Sequence, residues 1–175
     1  MKIKKLFVQL LKEIVNNAAN NKITNFSGIG LVLYSSKSFS RKHHSDLRPS
    51  IKCPENIWIN DGTAVDFLLN VSKKYHPCHD GYHFINEKGQ LTDIAQYFWP
   101  PIVPEIKPNE QHGTRDLSAK YGSCIKGVIA IGIVHSDYQT FYFEKGEEHR
   151  LFNLQISYTK IKKVNNNLVA SKNKK

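Results

Sequence analysis

Two short, unbroken apolar runs, Gly28–Tyr34 (GIGLVLY) and Val128–Val134 (VIAIGIV), most constrain what this chain can fold into. Both are bounded by polar residues and have strand length, so each reads as a buried strand. A buried strand needs cover. The first segment offers it: Ile3, Leu6, Phe7, Leu10, Leu11, Ile14, Val15 and Ala18 recur at three- and four-residue steps and form an apolar stripe along one face of a helix that ends at Asn20–Asn21. Lys2, Lys4, Lys5 and Lys12 on the other face are also compatible with a helix lying on a membrane surface. Packing on the domain's own sheet is the expectation, because nothing else in the chain offers to cover it.

The remaining elements follow from local signals. Asp61 or Thr63 can cap a helix running to about Tyr75. Two short strands, Tyr82–Ile85 and Leu91–Ala95, are joined by Asn86-Glu87-Lys88-Gly89 as a hairpin. The prolines of 100–108 make a stiff, extended stretch. Gly113–Gly122 reads as a loop opening a short helix, and Thr140–Phe143 and Leu151–Tyr158 alternate and complete the sheet. Ser35–Pro54, polar and without periodicity, is expected to be a functional or mobile loop. Strands outnumber helices and hairpins mix with crossovers, so the fold class is α/β, a mixed β-sheet flanked by helices.

Length and charge bound the function classes. The 175 residues suit one domain, and 40% hydrophobic content with 11% aromatics excludes wholesale disorder. No apolar run is long enough for a membrane span, and the Lys-broken start lacks a signal-peptide core. With three cysteines and no export signal, a cytoplasmic location with reduced thiols is expected. Six lysines and no acid lie in 160–175, leaving about +4 of the net +10 on the rest. That segment reads as a solvated, basic, frayed tail rather than a nucleic-acid arm, and nucleic acid is not an expected partner. The expected organisation is a helix over 1–20, a single domain over 21–159 and the tail over 160–175.

Three clusters carry candidate chemistry. His76-Pro77-Cys78-His79-Asp80-Gly81 crowds potential zinc ligands together, but the spacing is wrong for zinc and no second pair follows. Asp80-Gly81 at the mouth of a strand can instead bind a hard cation through oxygen, or be an ordinary turn. Gly113-Thr114-Arg115-Asp116 has the parts of a phosphate cradle: a bare glycine, a helix start, a hydroxyl and a guanidinium. A capped helix start with a surface Arg explains it as well. His135-Ser136-Asp137 stands at the carboxyl end of a buried strand, where open α/β sheets place ligand contacts, although a plain turn has the same composition. No nucleophile elbow, P-loop or dinucleotide fingerprint is present.

In this order the clusters resemble the diadenylate cyclase domain, the nucleotidyl-transferring domain of the DNA integrity scanning protein and its relatives. The family's His-Asp-Gly-Ala strand start corresponds to His79-Asp80-Gly81-Tyr82, and its hairpin ending in Leu-Pro to Phe98-Trp99-Pro100. Its Gly-Thr-Arg-His-Arg-Ala-Ala segment corresponds to Gly113-Thr114-Arg115-Asp116-Leu117-Ser118-Ala119, and its Ser-Glu-Glu-Thr-Gly to Ser136-Asp137-Tyr138-Gln139-Thr140. The resemblance implies a domain that binds adenine nucleotide. In the family, two monomers meet face to face and condense two ATP into cyclic di-AMP and two pyrophosphates, with Mg²⁺ or Mn²⁺ as cofactor. Carried over, Asp80 holds the metal and helps activate the 3′-hydroxyl, and Gly81 lets the nucleotide approach. Thr114 and Arg115, with Gly113 and Ser136 beside them, bind the nucleotide, and Asp137 is a second metal ligand. Tyr82, in place of a small Ala, fills space or offers a stacking face. Asp116 and Leu117 replace a His and an Arg and set a negative charge and an apolar group where triphosphate wants donors. The resemblance therefore implies a nucleotide sensor with weak or no turnover, working with a separate effector protein. The alternative is an active diadenylate cyclase, a face-to-face homodimer drawing its missing phosphate contacts from Arg41–Arg48.

Overall fold

The computed structural model describes residues 2–21, 23–107 and 113–153. Along the chain come α1 (Lys2–Asn20), β1 (Ile29–Tyr34), a single 3₁₀ turn (Arg41–His43), β2 (His44–Asp46), α2 (Gly62–Val71), β3 (Tyr82–Asn86) and β4 (Leu91–Phe98). Then follow α3 (Thr114–Gly122), β5 (Val128–Val134), β6 (Gln139–Glu144) and β7 (Glu147–Asn153). The strands make one seven-stranded sheet in the order β2-β4-β3-β1-β5-β6-β7. Only β1 and β3 pair in parallel; the other neighbours are antiparallel. The mixed α/β sheet expected from the sequence is present, and the two apolar runs are its adjacent central strands, β1 and β5.

Alternation along these strands divides the core between the two faces of the sheet. Ile29, Leu31 and Leu33 of β1, with Ala130 and Val134 of β5, belong to one cluster with the apolar residues of α1 and α2. Val32, Tyr34, Ile131 and Ile133 point the other way, into a second cluster with Ala119 of α3 and the aromatic rings of β3, β4 and β6. The α1 stripe is realised as read: Phe7, Leu10, Leu11, Ile14, Val15 and Ala18 are all buried. Leu11 seats on Gly132 of β5, where an added Cβ would stand only 2.6 Å from its Cδ1. The bare backbone of Gly132 thus sets how closely α1 lies on the sheet.

Two local signals act as expected. Asp61 caps α2, its Oδ1 accepting the Thr63 N–H at 3.1 Å. The β3–β4 turn is organised by Asn86, whose Oδ1 accepts the N–H groups of Lys88 at 3.0 Å and Gln90 at 3.1 Å.

Several boundaries differ. The helix α2 ends at Val71, short of the expected Tyr75, and β4 runs on to Phe98, beyond the expected Ala95. The segment 35–54 is not one long loop, because β2 pairs with β4 as the sheet's edge strand. Its Phe39 and His44 rings pack on Phe84, with centroids at 5.8 and 4.4 Å. A three-residue edge strand rich in His, Ser and Asp carries no apolar alternation, which is why it gave no signal. The last strand begins at Glu147, ahead of the expected Leu151, because its register is set by a tight turn back from β6. Residues 154–158 and the basic tail at 160–175 lie outside the described residues.

Candidate functional site

Register brings the candidate residues to one edge of the sheet. Ile29 pairs with Val134, Gly30 with Tyr82, and Val134 with Thr140. The amino ends of β1, β3 and β6 and the carboxyl end of β5 therefore coincide, and α3 begins beside them. Ser27, Asp80, Gly113, Thr114, Arg115, Asp116, His135, Ser136, Asp137 and Gln139 line a cavity there of about 520 Å³. Four stretches of the sequence, at Ser27, Asp80, 113–116 and 135–141, are thus gathered around one space.

Asp80 is well exposed, at 68%, and its Oδ1 accepts the Gly81 N–H at 3.0 Å. Arg115 reaches the same oxygen with Nη2 at 3.5 Å, a long contact that leaves the guanidinium able to engage a ligand. Gly81 has φ +79°, and a Cβ there would meet the Gln96 carbonyl oxygen and stand 2.7 Å from Leu47 Cδ1. Only glycine fits this turn between edge strands and site.

Gly81 and Tyr82 face a second, adjoining cavity of about 620 Å³, walled by Tyr97, Phe98, Trp99, Leu117 and Tyr121. Tyr82 itself is only 4% exposed and fills space rather than presenting a stacking face. Its hydroxyl donates to the Arg115 carbonyl at 2.6 Å and lies 2.7 Å from Ser118 Oγ. Burial pushes its phenol pKa well up. Its function is to fasten β3 to the first turn of α3, and so to hold Thr114 and Arg115 against Asp80.

Asp116 borders the cavity but is a paired group rather than a free charge. It is 2% exposed and turned inward, and His135 Nε2 donates to its Oδ1 at 2.8 Å. Oδ2 of Asp116 has no hydrogen-bond partner among the described residues. A buried carboxylate at a helix start is favoured by the helix dipole and by this imidazole. The pair was not legible because the partners are 19 positions apart and nothing marks either as paired. Asp137 accepts both the backbone and side-chain N–H groups of Gln139, at 3.1 and 2.6 Å. That motif is a tight turn as well as a cavity wall.

The cation reading rests on donor type. Asp80 and Asp137 offer carboxylate oxygens to the cavity, and no group of three or more His, Cys, Asp or Glu gathers among the described residues. This suits an ion such as Mg²⁺, which uses one or two carboxylates and takes its other ligands from phosphate and water, and not a cage made by the protein alone. In the neighbouring turn His76 Nδ1 accepts the Cys78 N–H at 3.1 Å, and His79 Nδ1 lies 2.8 Å from the His76 carbonyl oxygen. Arg41 and Arg48 line neither cavity; Arg41 is held by Asp93 at 2.6 and 2.7 Å.

No protein-family model and no curated protein matches the sequence. Among the described residues no helix is long and apolar enough to cross a membrane. Solved structures do resemble the fold. A hypothetical membrane spanning protein from Bacillus cereus superposes with a TM-score of 0.60 at 13% identity, over 83% of this chain and 63% of that one. The chain thus spans less than two thirds of that protein. DacA from Staphylococcus aureus, in a double-mutant form, superposes with a TM-score of 0.56 at 18% identity, over 93% of this chain and 97% of its own. The chain therefore has a diadenylate-cyclase-like α/β fold.

Proposed function

We propose that this chain binds an adenine nucleotide at the Asp80–Arg115 edge of the sheet and turns it over weakly or not at all, acting as a nucleotide sensor. The observation that carries this reading is the convergence of Asp80, Gly113–Arg115 and Ser136–Asp137 on one polar cavity, with an apolar, aromatic-walled cavity alongside. A nucleotide needs both environments, polar donors for its phosphates and apolar walls for its base. The start of α3 aims backbone N–H groups and the Thr114 hydroxyl at an anion. Arg115 adds a fork of donors, and Tyr82 keeps that turn in place. Mg²⁺ or Mn²⁺ held by Asp80 and Asp137 would neutralise phosphate charge.

Weak turnover follows from two positions. Leu117 gives the second cavity an apolar wall where the family's motif has a donor. Asp116 is committed to His135 and contributes no donor either. Phosphoryl transfer depends on positioning and on electrostatic stabilisation of developing charge, so losing two donors removes rate more than binding.

The test is mass spectrometry of products after incubation with ATP and Mn²⁺, beside nucleotide titration by calorimetry, with Asp80→Asn as control. Binding with intact ATP supports the sensor. Cyclic di-AMP formed only by the unmodified protein replaces it with the active, face-to-face dimeric cyclase. Neither binding nor product rejects both.

A further inference from the structure

A third cavity, of about 420 Å³, adjoins the first, sharing Ser27, Asp80, Arg115 and Ser136 with it, and is lined in addition by Lys74 and His79. Asp80 and Arg115 line all three cavities, so the three meet at one point. Their charges differ. The first sets three carboxylates, Asp80, Asp116 and Asp137, against Arg115 and the Asp116-bound His135. The third sets two permanent cations, Lys74 and Arg115, against Asp80 alone.

Lys74 is placed by its backbone. Just beyond α2 the chain pairs with the residues before β1: Lys73 bridges Phe26, Ser27 N–H donates to the Ser72 carbonyl at 3.0 Å, and Lys74 N–H donates to the Asn25 carbonyl at 2.7 Å. Adjacent Lys73 is used locally, its ammonium donating to Asn70 Oδ1 at 3.0 Å. The Lys74 ammonium has no hydrogen-bond or ion-pair partner among the described residues. A cation on an anchored backbone, lining a pocket that a guanidinium also lines, has the parts of an anion subsite.

We infer that Lys74 and Arg115 form a polyphosphate subsite, which takes the terminal phosphates of the ligand in place of the donors replaced by Asp116 and Leu117. This rests on the nucleotide reading and sharpens it: the ligand is a nucleoside di- or triphosphate rather than a monophosphate. Ser27 does not add a donor, since its hydroxyl already donates to the Ser72 carbonyl at 2.7 Å.

The test is calorimetric titration of the full chain with tripolyphosphate alone, and separately with ATP and AMP in the presence of Mg²⁺. Lys74→Ala is compared with Lys74→Arg and with Lys73→Ala as the neighbouring charge control. Lys74→Ala should weaken tripolyphosphate and ATP roughly tenfold, the scale of one hydrogen bond to a charged group. AMP should change little, Lys74→Arg should restore most of the loss, and Lys73→Ala should have no effect. Equal losses in both alanine variants, no loss at Lys74, or no tripolyphosphate binding by the unmodified protein overturns the subsite. If ATP still binds in those cases, the nucleotide reading stands without it. Tripolyphosphate bound through Lys74 with no contribution from adenosine keeps the subsite and overturns the nucleotide reading.

Discussion

The two faces of the sheet are built differently. Under α1 and α2 the core is aliphatic and closed: Leu10, Leu11, Ile14, Leu31, Leu33 and Leu68 are at most 1% exposed. Under α3 it is aromatic and only partly roofed, with Tyr34, Phe39, Phe84 and Phe98 packed ring on ring at 5.1 to 6.0 Å. One nine-residue helix cannot cover that face, and its amino end opens onto the cavities. The contrast separates duties. The helical face supplies stability through buried area, and the aromatic face gives up cover to hold a polar edge open, with hydrogen bonds such as Tyr82 to Arg115 replacing lost packing.

Substitutions on the closed face should therefore cost stability without changing ligand affinity. Leu11→Ala, which empties the contact with Gly132, should destabilise the fold by about 3 kcal/mol. In thermal melts this lowers the midpoint by roughly 6–12 °C. Nucleotide affinity measured below the transition should stay within twofold of the unmodified protein. A parallel loss of affinity would show that the two faces are not independent.

The closed face also carries one titratable liability, His83. Burial is the main cause, with Arg115 and His76 adding to it, that pulls its pKa down to about 3. A depressed histidine folds neutral, so its contribution is complete above the unfolded value of about 6.5 and is lost as pH falls below that, down to about 3. The slope is about 1.4 kcal/mol per pH unit, or about 2 kcal/mol by pH 5. Urea unfolding at pH 7 and pH 5 should show this loss, and His83→Asn, which does not titrate, should reduce it. An unchanged slope would place the acid sensitivity elsewhere.

On the open face the corresponding liability is the Asp116–His135 pair. His135→Ala leaves a carboxylate buried without its donor and should cost about 1–2 kcal/mol, discounted because His135 is 32% exposed. Adding Asp116→Asn should recover most of it, since the orphaned group is then uncharged. If the double variant is no better than the single one, the imidazole acts by packing on Phe141 and not by pairing.

What the sequence disclosed follows the same division. The closed face was legible because apolar periodicity is a local signal: the α1 stripe and the runs of β1 and β5 stand as read, and of the two cap candidates, Asp61 and Thr63, the structure uses Asp61. The site was legible only as three motifs in order, and the resemblance rather than periodicity joined them. Asp116 paired with His135, Lys74 at a cavity rim and β2 at the sheet edge were invisible, because each depends on which strands neighbour each other. Composition carries no trace of register. Tyr82 lies between these cases: its position beside the site was read, but its function as a fastener depends on where α3 docks.

The smallest effect is expected at the rim of the open face, and it tests whether charge or packing holds the segment 35–54. Arg41 meets Asp93 through two short contacts, yet its side chain is 62% exposed against 14% for the acid. Water screens such a pair, and ordering a long side chain offsets much of the attraction, so Arg41→Ala should cost only about 0.5 kcal/mol. The loss should disappear at about 1 M salt, where the screening length is roughly 3 Å. Phe39, stacked near His44 and Phe84, anchors the same segment by packing, and Phe39→Ala should cost several times more at any salt concentration. Equal, salt-sensitive losses for the two variants would mean that the segment is held by charge, and that the aromatic face ends at Phe84 rather than extending over β2.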